Sequence, residues 1–460
     1  MSWKKVKLGE ILTVRDNRFK PQDKAIEGLK RIDKIDFFGE IFISDKTSNT
    51  DMILIKKGDL VISGINVEKG AMAVYTGEDD IIATIHYSSY SFDENKTDIE
   101  FLKFFLKSNE FKDALKEQVP GGIKTEIKPK HLLPLIVEIP TDIKDQREIV
   151  KLLKDRNSKI DILSTELTHQ LDLVKKLRQQ ILQDAVQGKL VEQNIKDLPN
   201  RQADEPASEL LKKIKAEKLN SPAFKGRAKE KELPPIKPED LPAGKAGIPF
   251  EIPDNWVWCR LGEICTKITD GFHNTPPKVS EGIPYIAATQ VKSDKIDWEN
   301  CNYVEEKYHR ELYIKAYPQK GELLVVNIGA GCGTPAIIDV DFEFSFKNTA
   351  ILKFNQSLIS NKLLFYYFLL RKEEIYAELT KGGLQPFLSL KILNEINFPL
   401  PPIAEQNRIV QKIEELMQYC NELEASIKQS ESQNEKLLQQ VLREALQPAS
   451  PIAGKEPVTN

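Results

Sequence analysis

The chain has 460 residues, 40% of them hydrophobic and 29% charged, which is enough for two to four domains at about 100 to 200 residues each and excludes a largely disordered protein. The net charge of −3 excludes nucleic-acid binding driven by bulk positive charge and leaves it to local patches or partners. No apolar run reaches the roughly 18 residues that span a bilayer, and MSWKKVKLGEI lacks the apolar core of a signal peptide, so a cytoplasmic location is expected.

In chain order, residues 1–142 read as a first mixed domain. It opens with WKKVKLGEI at Trp3 and carries GDLVISGI at Gly58, an apolar strand-like run after a turn glycine. It then has the pair Gly121 and Gly122 and closes with LLPLIVEIP at Pro140. Residues 143–190 follow as a long helix, whose first 45 residues are free of proline. Residues 191–255, of which 191–250 hold eight of the chain's 26 prolines, read as an extended charged linker with one short helix, ASELLKKIKAEK. Its basic residues Lys212, Lys213, Lys215, Lys218, Lys225, Arg227, Lys229 and Lys231 read first as a solvated surface and second as phosphate contacts.

Residues 256–402 repeat the order of the first domain: WVWCRLGEI at Trp256, GELLVVNI at Gly321, the pair Gly382 and Gly383, and LNEINFPLPP at Pro402. Residues 403–447 are a second long helix, and 448–460 a flexible tail. The two helices align at a constant offset of 260, QREIV at Gln146 on QNRIV at Gln406. Such self-similarity marks a duplicated unit.

Alternating steps of four and three along the first helix select an apolar seam: Ile149, Leu153, Ile160, Leu163, Leu167, Val174, Leu177 and Ile181, with Arg156, Gln170 and Asp184 in the same register. The second helix gives Ile409, Ile413, Leu416, Leu423, Ile427, Leu437 and Val441, with Cys420, Ser430, Asn434 and Glu444. A period of 3.5 sustained over about six heptads is a coiled-coil pattern rather than an ordinary core stripe. At about 1.5 Å per residue each helix is some 65 Å long and needs a partner. Residues 143–187 carry nine basic against seven acidic residues and residues 403–447 five against eight, so each helix suits the other.

Several motifs look chemical. NIGAGCGTPAII at Asn327 superficially resembles a phosphate-cradling loop, but Pro335 and a second apolar run follow where a helix N-terminus is needed, so a β-hairpin turn is expected. NTPP at Asn274 departs from the NPP[YF] motif that holds a flipped adenine, with Lys278 where an aromatic ring stacks. Walker A, methyl-donor and HExxH motifs are missing. Five cysteines suit a reducing compartment; Cys259, Cys265, Cys301 and Cys332 lack CxxC spacing and read as plain thiols, with no metal site expected.

Polar loops at Pro120, Thr269, Ala287 and Lys381 supply Lys124, Thr125, Lys128, Lys130, His273, Asn274, Thr275, Lys278, Thr289, Gln290, Lys292, Lys381 and Gln385. These are residue types that reach base edges and phosphates, and they are candidate DNA contacts, with ordinary surface loops as the plain alternative.

Taken together, IPTDIKDQREIV and PLPPIAEQNRIV at the helix entries, ILQDAVQGKL at the first exit and IPFEIPDNWVWCRLGEI before the second domain resemble the specificity subunits of type I restriction-modification systems. The resemblance covers nearly the whole chain apart from the linker and tail; IPTDIKDQ departs from the PPIAEQ wording of the second entry. It implies two α+β target-recognition domains in a pseudo-two-fold repeat, joined by two long helices in an antiparallel coiled coil. Each domain would read half of a bipartite, asymmetric site on double-stranded DNA, and the helices would dock two modification (methyltransferase) subunits. ATP-dependent restriction subunits would join to cut. The resemblance places catalysis in those partners, with S-adenosylmethionine, ATP and magnesium, and makes this chain non-catalytic. The rival readings are a fused or solitary DNA methyltransferase or restriction enzyme, tested by methyl transfer with the pure chain, and a coiled-coil scaffold without a DNA role, tested by gel shift.

Overall fold

Backbone contacts divide the chain into two units, residues 1–170 with 426–460, and residues 171–425. The computed structural model describes all residues except 16, 38, 47, 67–70, 119–125, 193–204, 221–235, 237–249, 273, 294, 380–385 and 447–460.

The first unit contains β1 (Trp3–Lys7), β2 (Leu12–Val14), β3 (Arg18–Phe19), β4 (Arg31–Ile35), β5 (Ile41–Ser44), β6 (Met52–Ile55), β7 (Leu60–Ser63), β8 (Met72–Val74), β9 (Ile81–Thr84) and β10 (Tyr87–Phe92). Helices α1 (Ile99–Lys107), α2 (Asn109–Gln118) and α3 (Pro129–Leu132), strand β11 (Ile136–Pro140) and the start of α4 (Ile143–Val186) follow. β1 pairs antiparallel with β11, Trp3 opposite Pro140. Two larger sheets have the orders β2-β10-β7-β8 and β3-β6-β9-β4-β5.

All four residues of β7 are buried because both sheet faces are covered. Leu60 and Ile62 enter a core with Tyr90, Phe101, Leu102 and Phe105. Val61 turns to the opposite core with Ile32, Ile53 and Ile81. A period of two sends neighbours to opposite faces, which is why LVIS reads as an unbroken apolar run. The glycine before it, Gly58, has φ 86°, and Gly321 before the corresponding run has φ 84°, a conformation open to glycine but strained for other residues.

The second unit contains α5 (Ala207–Asn220), β12 (Val257–Arg260), α6 (Leu261–Ile264), β13 (Lys267–Asp270), β14 (Ile283–Ile286), β15 (Asn302–Val304), α7 (Glu306–Ala316), β16 (Leu323–Val326), β17 (Pro335–Ile337), β18 (Ser345–Phe346), β19 (Thr349–Lys353), α8 (Asn361–Glu374), α9 (Leu390–Glu395), β20 (Asn397–Leu400) and the start of α10 (Ile403–Leu446). Its sheets have the orders β12-β20, β13-β19-β16-β17 and β15-β14-β18. The glycine-rich run at Asn327 is the turn of the β16–β17 hairpin, with Val325 opposite Pro335.

The helix-entry glutamines show why QREIV and QNRIV matter. Gln146 and Gln406 are fully buried. Gln146 Oε1 accepts from Asp98 N at 2.8 Å while its Nε2 donates to Pro140 O at 3.0 Å. Gln406 Oε1 accepts from Ser360 N at 2.8 Å while its Nε2 donates to Pro401 O at 3.1 Å. Asp98 and Ser360 are the N-caps of α1 and α8. Each glutamine thus ties the last strand before a long helix to the start of a domain helix, satisfying backbone groups that burial would otherwise leave bare.

Along the long helices, Ile149, Leu153, Ile160, Leu167, Val174 and Ile181 are buried, as are Ile409, Ile413, Cys420, Ile427 and Asn434. Leu416 and Val441 are half-buried. Leu163 and Leu177 are each 44% exposed, and Leu423 and Leu437 each 49%. The half-buried positions between the buried ones on α4 are Asn157, Ser164, Gln170, Leu171 and Arg178, all but Gln170 lying one residue beyond the expected seam. Steps of four-three and three-four both sum to a heptad, so four leucines suggest one choice on hydrophobicity where packing takes the other. Polar partners account for it: Arg178 Nη2 lies 2.7 Å from Glu424 Oε2 within the second unit. Within the first, Asn434 Nδ2 donates to Ile160 O at 3.0 Å and Arg156 Nη1 lies 3.4 Å from Glu444 Oε2.

Candidate nucleic-acid interface

In the second unit, five loops meet where β13, β14, β16 and β18 end and β19 begins. Backbone hydrogen bonds stitch them together: Gly271 N to Thr349 O at 3.2 Å, Phe272 N to Phe346 O at 3.0 Å and Lys347 N to Ile286 O at 3.0 Å. Asn327 N to Asn348 O at 3.1 Å, Gly329 N to Pro386 O at 2.9 Å and Leu388 N to Asn327 O at 2.8 Å complete the set. Residues 271–272 and 286–290 thus share one end of the domain with the distant segment 386–388 and the hairpin turn.

Asn274, Thr275, Lys278, Thr289 and Lys292 are exposed. Gln290 is committed internally: its Oε1 accepts from Ala287 N at 3.1 Å and Thr289 Oγ1 at 2.9 Å, and its Nε2 donates to Asn300 O at 3.2 Å. It shapes its loop. His273, Lys381 and Gln385 lie outside the described residues, as do Gly382 and Gly383.

Sequence reasoning missed four residues at this end. Lys347 donates to Thr275 Oγ1, so an amino group and a hydroxyl stand side by side, a pairing suited to phosphate or to a base acceptor. Asn348 has φ 58°, a backbone strain that asparagine tolerates better than most residues. Asn327 is buried, and its Oδ1 has no hydrogen-bond partner among the described residues. Phe387 is 43% exposed. The only sequence signal was FKNTA, which places a lysine and an asparagine just before a strand.

Neighbouring groups are held neutral. Burial pushes the Tyr285 phenol up to about 12, and Phe272 packs against it with ring centroids 6.1 Å apart. Burial also pushes the Cys332 thiol up, so this thiol in the hairpin turn is inert rather than nucleophilic. The five cysteines are free, and no cluster of metal-binding side chains occurs among the described residues.

The first unit builds the matching end from fewer described residues. Gly64 N donates to His86 O at 2.9 Å and Ile127 N to Gly64 O at 2.8 Å, so the end of β7, the start of β10 and the segment before α3 meet. Ile65, beside this junction, is exposed. Lys128 and Lys130 are exposed; Lys128 Nζ lies 3.4 Å from Glu126 Oε2, and His86 Nδ1 lies 3.2 Å from Glu126 Oε1. Lys124, Thr125, Gly121 and Gly122 lie outside the described residues. No described helix is long and apolar enough to cross a membrane.

Residues 253–430 match the family model described as "Type I restriction modification DNA specificity domain". This segment, less than half of the chain, is where the similarity to that family lies. It is similar to the specificity subunit of the type I restriction enzyme EcoAI of Escherichia coli, 31% identical over 264 residues, 55% of this chain and 42% of that protein. The EcoEI specificity subunit of Escherichia coli is 31% identical over 283 residues, 58% of this chain and 44% of that one. The EcoDI specificity subunit, also of Escherichia coli, is 21% identical over 449 residues, 97% of this chain and 88% of the relative. The match to the first two spans less than half of their length.

Proposed function

We propose that this chain is the sequence-specific DNA-binding specificity subunit of a type I restriction-modification complex. It recognises a bipartite, asymmetric double-stranded site, one half through residues 1–142 and the other through residues 256–402. The observation that carries this is the recurrence of one loop junction: Ile127 N to Gly64 O and Leu388 N to Asn327 O, both 2.8 Å, at the same end of sheets with the orders β2-β10-β7-β8 and β13-β19-β16-β17. Two copies of one scaffold carry different loop residues, as two independent readers require.

Lysines such as Lys128, Lys278 and Lys347 hold phosphates and fix register, while Asn274, Thr275 and Thr289 reach base edges, where a good bidentate contact discriminates by about 1–3 kcal/mol. α4 and α10 form an antiparallel coiled coil that separates the readers. In support, within the first unit Arg156 and Ile160 of α4 meet Glu444 and Asn434 of α10 in falling order, and within the second Arg178 meets Glu424. Two modification subunits dock on these helices and ATP-dependent restriction subunits join them in the cytoplasm. The specificity family is non-catalytic in itself, and S-adenosylmethionine, ATP and magnesium act in the partners.

The test is to express residues 1–190 with the modification subunit and map methylated adenines. Two copies should pair through their own seams and present identical readers, giving methylation of a palindrome of the first half-site. Continued methylation of the complete asymmetric site by this fragment would refute the two-reader proposal.

A further inference from the structure

The LGEI turn that opens each domain is covered by a helix in one unit and, among the described residues, by none in the other. In the second unit α5 lies on it, burying Ala207, Leu210 and Ile214. Lys215 Nζ stands 2.6 Å from Glu263 Oε1 and Lys218 donates to the carbonyl of Gly262. Asn355, just past β19, donates from Nδ2 to Glu217 Oε2 at 2.6 Å. An apolar stripe with lysines at its edge is therefore the key to this surface.

In the first unit the same turn recurs as Leu8–Ile11, with Gly9 and Glu10 in the places of Gly262 and Glu263. Asp93, just past β10, takes the place of Asn355. Here an open groove of about 520 Å³ runs between Glu10, Ile11, Thr13, Phe92, Asp93, Glu94 and their neighbours. Glu10 and Glu94 are exposed and Asp93 half-buried, so three carboxylates face one nearby amino group, Lys96, which lies 3.5 Å from Asp93 Oδ2. This charge repels a phosphate backbone and suits a lysine-bearing partner.

We propose that this groove seats a lysine-rich amphipathic helix of the α5 type, contributed by another polypeptide. The inference rests on the internal repeat proposed above. The partner helix presents apolar residues at positions i, i+3 and i+7, as Ala207, Leu210 and Ile214 do, and lysines at i+8 and i+11, as Lys215 and Lys218 do. Residues 447–460 of this chain contain three prolines and one lysine and do not have that pattern.

A synthetic, isotope-labelled peptide of residues 205–222 is added to the DNA-free full chain, treated with a carbodiimide, and its crosslinks are mapped by mass spectrometry. The label separates it from the chain's own α5, which links Lys215 to Glu263. The expected result is a labelled Lys215 linked to Glu10, Asp93 or Glu94. Capture should weaken at least tenfold in the double variant Glu10→Lys, Glu94→Lys, whose exposed positions leave the melting temperature unchanged. A peptide with Leu210→Asp and Ile214→Asp should not be captured. Labelled links to Glu263 alone, the lack of any link, or capture that ignores the charge reversal would each overturn the proposal. Because no DNA is present, such failure leaves the DNA-reading proposal untouched.

Discussion

Replacing Gln406 with leucine keeps the volume of a fully buried side chain and removes every polar atom. Ser360 N then loses its acceptor at 2.8 Å, and the carbonyls of Pro401 and Leu358 lose a donor at 3.1 and 3.3 Å. A buried backbone group left without a partner costs about 1–3 kcal/mol. The 3.3 Å contact is long and a carbonyl tolerates under-satisfaction better than an N–H, so the N–H and the Pro401 carbonyl dominate and the expected loss is about 2–4 kcal/mol. For a unit of this size that lowers the melting temperature by roughly 4–16 °C. Gln406→Glu keeps the acceptor for Ser360 but turns a carboxylate toward two carbonyls, so it should destabilise at neutral pH and recover when acid protonates it. Thermal unfolding followed by circular dichroism measures both variants, and amide hydrogen exchange at Ser360 reports the clamp itself. A Gln406→Leu variant within about 0.5 kcal/mol of wild type, with Ser360 still protected, would refute the clamp.

Glu322 is buried, and burial raises its carboxyl pKa against the pull of Lys353, whose Nζ lies 2.7 Å from Glu322 Oε2. The folded state therefore holds the proton to higher pH than the unfolded chain does, so this group's contribution to stability falls as pH rises from the unfolded towards the folded pKa. Lys353→Met should cost about 3–5 kcal/mol at neutral pH and less in mild acid; a cost independent of pH in chemical denaturation would contradict this. Leu163→Asp and Leu177→Asp, on exposed positions, should leave stability within about 0.5 kcal/mol yet abolish co-purification of the modification subunit, whereas Leu167→Ala should cost about 2–5 kcal/mol; normal co-purification of both aspartate variants would remove these leucines from the docking surface. Cysteines at positions 167 and 427 should form a disulfide on oxidation while cysteines at 149 and 409 should not, and efficient crosslinking of the second pair would indicate parallel helices.

The long helices were legible because 45 residues without proline, with apolar side chains every third or fourth place, leave few alternatives to helix. The hairpin at Asn327 was legible as well, since Pro335 and a second apolar run bar the helix a phosphate loop needs. The helix seam was half legible. Ile160, Leu167, Val174 and Ile181 stand at buried positions under either heptad choice. Only packing turned Arg178 toward Glu424 and left Leu177 in solvent, because an ion pair between two elements is invisible to the periodicity of one. The DNA candidates show the same division. Lysine, asparagine and threonine in loops mark polar surface, but Lys347, Asn348, Asn327 and Phe387 join Asn274 and Thr275 only because sheet pairing brings segments up to about a hundred residues apart to one end. The two LGEI turns read alike in sequence, and tertiary structure alone decides that one is covered by α5 and the other, among the described residues, by no helix: the turn's own residues set its shape, whereas what covers it depends on a chain segment elsewhere and on the charges that face it.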